Sequence, residues 1–201
     1  MKDRNKSLLA LLLVIAVLAV GGAVAWFTFN QTDTVNVGTG QVVYSVQNTI
    51  AEQTDVLPGE TLPDSKGGVG TVTISNTSTR ETFLRVKADV AGSTFYEGTD
   101  TFSDVFSMAG DISNSSVWVK HGNWYYFVGP VTATTSTISL IDSISVLGTV
   151  GNEYQNKTFK IVVTVDAIQG TEAALRSEWI GAGSDKITQL QAEALGYLPS
   201  S

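Results

Sequence analysis

The stretch KTFKIVVTVDAIQ (residues 157–169) decides the fold class of this chain. Its apolar residues alternate with polar ones, and one face carries Phe159, Ile161, Val163, Val165 and Ala167. The other face carries Lys160, Thr164 and Asp166. A period of two, rich in β-branched residues, predicts a half-buried β-strand whose charged face meets solvent.

Short strands of the same kind recur along the chain. ETFLRVKADVA (81–91) alternates clearly, with Leu84, Val86, Ala88 and Val90 pointing to one side and Phe83, Arg85, Lys87 and Asp89 to the other, a charged outer face. SSVWVKHGNWYYFVG (115–129) indicates a β-hairpin with residues 121–123 at its tip. The segment 92–115 is predicted to be a long surface excursion. About eight strands separated by turn residues predict a β-sandwich.

The pattern changes after Gln169. The segments GTEAALRSEWIG and SDKITQLQAEALGYL have the composition of helices. Ser184 or Asp185 is the predicted N-cap of the second segment. We expect one or two short helices packed at the edge of the sandwich.

The first 25 residues have the three parts of a secretory signal. Basic residues precede the apolar run Leu8 to Val20, and Ala23 and Ala25 form a small-x-small cleavage pattern. Cleavage after Ala25 would make Trp26 the mature N-terminus. The alternative is an uncleaved anchor, because Leu8 to Phe29 has about the length, roughly 20 residues, that spans a bilayer. Either way the body is expected outside the cytoplasm.

Composition excludes several classes of function. The 201-residue chain has no cysteine, so disulfides and thiolate metal sites are absent. Its formal net charge of −7 argues against nucleic-acid binding. The only histidine, His121, falls at the predicted hairpin tip, and no zinc, nucleophile-elbow or phosphate-loop motif accompanies it. We predict no catalytic residue, no metal site and no cofactor.

Aromatic residues cluster within ten positions of the predicted hairpin. Trp118, Trp124 and Tyr126 are the candidates for stacking against a sugar ligand. The alternative is that the hairpin buries alternate aromatic residues in the core. The sequence favours burial.

Four motifs in order resemble camelysin and the TasA-type exported proteins. They are LPGET (57–61), VTISNTSTRETFLRVKAD (72–89), NWYYFVGPVTATTSTISLIDSISV (123–146) and FKIVVTVDAIQ (159–169), preceded by a signal that ends in Gly-Gly with an aromatic residue just beyond the cut. The resemblance covers most of residues 15–170. It implies a jelly-roll-like antiparallel sandwich, export with the help of a signal peptidase, and residence on the cell surface or in biofilm matrix.

The resemblance also implies a structural function. Subunits of the TasA type polymerise by donor-strand exchange, in which the N-terminal segment of one subunit completes the sheet of the next. The expected donor strand begins with Trp26, Phe27, Thr28, Phe29 and Asn30. The partners are then further copies of this chain and other matrix proteins. The alternatives are a camelysin-type surface metallopeptidase and a monomeric glycan-binding module.

These observations predict the organisation of the chain. It comprises a signal peptide at 1–25, an extended segment at 26–33, an all-β sandwich at 34–170 and a helical or partly ordered tail at 171–201.

Overall fold

The computed structural model describes most of the chain beyond the predicted signal: residues 29–32, 42–54, 57–62, 70–91, 95–133, 136–154, 157–183 and 185–200. The predicted signal peptide, with its cleavage residues Ala23, Ala25 and Trp26, lies outside these residues. So do Phe27 and Thr28 of the predicted donor strand.

The described strands are short and pair in antiparallel fashion throughout. They are β1 (Phe29–Thr32), β2 (Tyr44–Asn48), β3 (Val72–Asn76), β4 (Thr82–Val90), β5 (Phe106–Ala109), β6 (Trp118–His121), β7 (Trp124–Phe127), β8 (Ser136–Ile141), β9 (Ser143–Val146) and β10 (Ile161–Gln169). The helices are α1 (Phe102–Val105), α2 (Glu172–Glu178) and α3 (Gln189–Ala194), with 3-10 turns at Asp111–Ser113 and Asn152–Tyr154. The prediction of an all-β sandwich with short C-terminal helices is confirmed.

The strands form three sheets among the described residues. The largest has the order β1-β10-β4-β7-β6, a second has the order β2-β3-β8, and β5 pairs with β9. β10 and β4 lie at the centre of the first sheet and pair over nine positions. The jelly-roll arrangement of these strands stays a prediction.

The main core lies between the sheets. Successive residues of a strand point to opposite faces, so the alternation in the sequence predicts which side chains enter this core. The inward set of β4 and β10 is buried as predicted: Leu84, Val86, Ala88, Val90, Ile161, Val163, Val165 and Ala167. Tyr44, Val72 and Ile74 meet them from the smaller sheet.

The segment 92–115 is more than a surface excursion, and that prediction was wrong in part. β5 pairs with β9, and Phe95, Phe106 and Ile112 are buried. The Phe95 ring lies 4.9 Å from Phe159 and 5.8 Å from Phe106, measured between ring centres. The free energy gained by burying these rings outweighs the preference of the turn-forming residues between them for an exposed loop.

A second core covers the opposite face of the five-stranded sheet. α2, α3 and their connections bury Leu175, Trp179 and Leu195 against Phe83 and Ile168 of the sheet. Thr171 caps α2, and Thr188 caps α3 through a capping box with Gln191. The cap of α3 is therefore neither Ser184 nor Asp185, because the helix begins only at Gln189. No helix in the described ranges is long and apolar enough to cross a membrane.

Candidate functional site

The described part of the predicted donor strand lies at the edge of the five-stranded sheet. Phe29 and Asn30 stand opposite Ala167 and Asp166 of β10, and β1 continues the ladder to Thr32 opposite Thr164. The segment therefore has a partner within its own chain. Since β1 is the last strand of the sheet order, its removal would leave the edge of β10 without a neighbour.

β10 pairs with β4 along all nine of its residues. Within the described residues, its other edge pairs with β1 from Thr164 to Ala167. At its start, Asn48 Nδ2 donates a hydrogen bond of 3.0 Å to the carbonyl of Ile161. A side chain therefore occupies a main-chain acceptor at the start of β10.

Asp166, on β10, contacts the C-terminal segment through its side chain. Arg85 Nε and Nη2 each lie 2.7 Å from Asp166 Oδ2, and Trp179 Nε1 donates to the same oxygen at 3.1 Å. Burial raises the pKa of the Asp166 carboxyl, while the charge and hydrogen bonds of Arg85 act in the opposite direction. The pair is a buried ion pair that holds α2 against the sheet.

Arg85 is also enclosed by aromatic rings. Its guanidinium carbon lies 4.3 Å from the ring centre of Trp124 and 4.9 Å from that of Trp179. Its Nη1 donates to the carbonyl of Asp185 at 2.6 Å and to the Tyr126 hydroxyl at 3.1 Å. Sequence reasoning had placed Arg85 on a solvent-facing side, and that prediction was wrong. The available signal was Phe83, an apolar residue on the same charged face.

The three predicted stacking aromatics lie in the interior. Trp118, Trp124 and Tyr126 are 2%, 8% and 0% exposed. Trp124 and Tyr126 lie beneath the C-terminal segment, and Trp118 packs edge-on against Phe127. None of them presents a ring face to a ligand, so the structure agrees with the burial that the sequence favoured and not with a stacking role for these three residues.

His121 is tied to the C-terminal segment rather than to a catalytic partner. Gln191 Nε2 lies 3.0 Å from its Nδ1, and its Nε2 lies 3.3 Å from the carbonyl of Lys186. Both ring nitrogens therefore face polar groups of the C-terminal segment. Within the described residues, no group of three or more His, Asp or Glu side chains is placed to hold a metal ion.

The chain was compared with protein-family models, with curated proteins and with solved structures, and none of them matches.

Proposed function

We propose that this protein is an exported structural protein, a subunit of surface filaments or biofilm matrix fibres that assemble by donor-strand exchange. The observation that carries the proposal is the position of β1, a four-residue strand at the edge of β10. An edge strand pairs through main-chain groups, so an identical segment from another copy can take its place without a change of register.

The length of the connection is compatible with exchange. Nine residues, 33–41, separate Thr32 from Val42, and a fully extended chain of that length spans about 35 Å. β1 can therefore serve either its own subunit or a neighbour. An exchanged strand makes the same contacts as the original, so the balance between the two states depends on protein concentration.

The sequence around this segment also supports the proposal. The residues before Trp26 have the pattern of a secretory signal, and removal of that signal would free the segment that leads into β1. The segment WFTFNQT carries three aromatic residues, Trp26, Phe27 and Phe29, ahead of the polar run from Asn30 to Thr32. An exposed strand of this kind is an aggregation hazard unless a sheet covers it.

The absence of native cysteine permits a direct test. Thr32 and Thr164 stand opposite each other in the β1–β10 register, at a separation that suits a disulfide. We would mix Thr32→Cys protein with Thr164→Cys protein under assembly conditions, oxidise, and separate the products on a denaturing gel. A disulfide between the two variants can form only between subunits, so a heterodimer band is the expected result.

The controls separate exchange from random collision. Thr32→Cys mixed with Ser107→Cys, whose cysteine lies on the separate β5–β9 sheet, should give no specific heterodimer. A chain that carries both Thr32→Cys and Thr164→Cys should be locked as a monomer when oxidised in dilute solution, and it should then fail to form filaments by electron microscopy. Filaments that grow from the locked monomer, or a mixture that yields no heterodimer, would contradict the proposal.

A further inference from the structure

A cleft of about 150 Å³ opens beside the tip of the β6–β7 hairpin. β7 pairs with β4 at only two positions, opposite Arg85 and Val86, whereas β4 continues to Val90. Tyr96 and residues 100–103 line the far side of the space, next to the part of β4 that β7 does not pair with. The cleft lies apart from the β1–β10 edge and is not used in strand exchange.

The walls of the cleft carry aromatic rings. Tyr125, Tyr96 and Phe102 line it and are half-buried. Tyr125 belongs to the face of β7 opposite Trp124 and Tyr126, so it escapes the cover of the C-terminal segment. Tyr125 therefore remains accessible to a ligand, whereas the three candidates named from the sequence, Trp118, Trp124 and Tyr126, are buried.

The acidic groups of the cleft are already engaged. Asp89 Oδ1 accepts from the Tyr96 hydroxyl at 2.7 Å and from the Val90 amide at 2.8 Å. Its Oδ2 lies 3.4 Å from Lys87 Nζ. The Tyr154 hydroxyl donates to Asp100. These bonds hold the two carboxylates in the wall of the cleft.

Two hydrogen-bond donors of the cleft remain for a ligand, Lys120 and Asn123. Lys120 forms no ion pair within the described residues, and its Nζ lies 5.8 Å from the centre of the Tyr125 ring. Hydrogen bonds from Thr101 are the main cause of the lowered pKa of the nearby Asp104, and the charge of Lys120 lowers it further. The amide of Asn123 also lines the cleft, and in the described part of the chain it has no hydrogen-bond partner.

We propose that this cleft binds a carboxylate-bearing sugar unit of an acidic polysaccharide. The C–H face of a pyranose ring packs against Tyr125, and Lys120 and Asn123 donate to its carboxylate. A charge-assisted hydrogen bond beside an aromatic wall supplies both attraction and orientation. A pocket that encloses a drug-sized ligand occupies roughly 300–1,000 Å³, so this smaller cleft accommodates one sugar unit.

The net charge of the chain makes the test selective. Because the protein carries −7, general electrostatics repels a polyanion, and preference for an acidic oligomer reports a local contact. We would titrate the purified full chain with tetragalacturonate and with the neutral maltotetraose, and follow binding by calorimetry. The expected result is a Kd of roughly 1 mM for the acidic oligomer, since one subsite supplies only a few kcal/mol, and weaker binding of the neutral one.

Two variants and a matched control locate the contact. Lys120→Gln and Tyr125→Leu should each weaken tetragalacturonate binding about tenfold, a change equivalent to roughly 1.4 kcal/mol. Lys186→Gln removes the same charge from an exposed position outside the cleft and should bind as the parent does. Near-UV circular dichroism checks the fold, and Lys120, which is exposed, provides the test if Tyr125→Leu fails to fold. Equal binding of the neutral oligomer, equal effects of Lys120→Gln and Lys186→Gln, or no binding would overturn the proposal.

Discussion

Arg85 and Asp166 stand directly opposite each other in the β4–β10 register, and their side chains form an ion pair of 2.7 Å beneath the C-terminal segment. The side chains are 11% and 5% exposed, so water does little to compensate either charge. An ion pair in such a position contributes little net stability compared with apolar residues, but removal of one partner leaves a buried charge.

Arg85→Met should therefore lower the free energy of unfolding by about 3–5 kcal/mol at pH 7. Without the guanidinium, the pKa of the buried Asp166 rises further, and the folded chain tolerates the carboxyl best when it is protonated. The loss should be smaller near pH 4 than near pH 8. Urea unfolding at the two pH values measures both effects.

The double variant Arg85→Met/Asp166→Leu provides the control. It removes both charges, so it should be more stable than either single variant, although Trp179 Nε1 loses its acceptor. Single and double variants of equal stability would show that the ion pair is not the source of the effect.

Trp179 is the second anchor of the C-terminal segment. It is 1% exposed, packs edge-on against Tyr126 at 5.7 Å between ring centres, and covers Arg85. Trp179→Ala should cost about 3–5 kcal/mol of unfolding free energy. Leu190→Ala, in the same segment but at a side chain that is 75% exposed, should stay within about 0.5 kcal/mol of the parent. Comparable losses in the two would argue against a second core.

The residues on the inner faces of the sheets could be predicted, because the alternation of side chains along each strand is enough to identify them. Leu84 and Val163 each belong to a row of apolar residues at every second position of their strand, and no distant segment needs to be known to identify that row. The hairpin followed from Gly122 and Asn123, which form its two-residue connection between β6 and β7. Local rules were sufficient for these elements.

The outer face could not be predicted in the same way. Arg85 and Asp166 look like solvated residues in their strands, and the segment that covers them begins only at Thr171. A pattern of period two identifies which residues share a face but not what packs on that face. In the same way, the pattern favoured burial of Trp124 and Tyr126 but did not identify the C-terminal segment that covers them. Tyr125, on the other face, is the ring that lines a cleft.

Substitution of Gly110 tests the close backbone packing at the turn that follows β5. Its φ is +129°, and a Cβ there would lie 2.7 Å from the Asp142 amide nitrogen and 2.9 Å from the Leu140 carbonyl oxygen. Both neighbours are backbone atoms that cannot rotate away, so Gly110→Ala should cost about 2–4 kcal/mol.

Gly98 is the matched control for that substitution. Its φ is also positive, at +58°, but nothing lies within 4 Å of an added Cβ. Gly98→Ala should lower the free energy of unfolding by about 1 kcal/mol, because alanine is strained in the left-handed conformation. If thermal unfolding gave equal losses for the two glycines, the contact with β8 would play no part.

The raised pKa of Tyr44 predicts how the stability of the sandwich changes at alkaline pH. Its ring is fully buried, its hydroxyl shares a hydrogen bond with Thr82, and burial raises its pKa from 10.0 to about 12. The folded chain thus keeps this proton to a higher pH than the unfolded chain does. The stabilisation is complete below pH 10 and is lost as the pH rises towards 12, and two pKa units correspond to about 2.7 kcal/mol.

Tyr44→Phe removes this ionisation while the other tyrosines remain. At pH 7 the variant should be about 1 kcal/mol less stable, because the Thr82 hydroxyl loses a buried partner. Between pH 10 and 12 its free energy of unfolding should fall by about 2–3 kcal/mol less than that of the parent, so the two curves converge and then cross. Urea titrations at several alkaline pH values measure this difference. Parallel curves would mean that Tyr44 ionises in the folded chain as readily as in the unfolded one, and that the Tyr44 side of the core admits water.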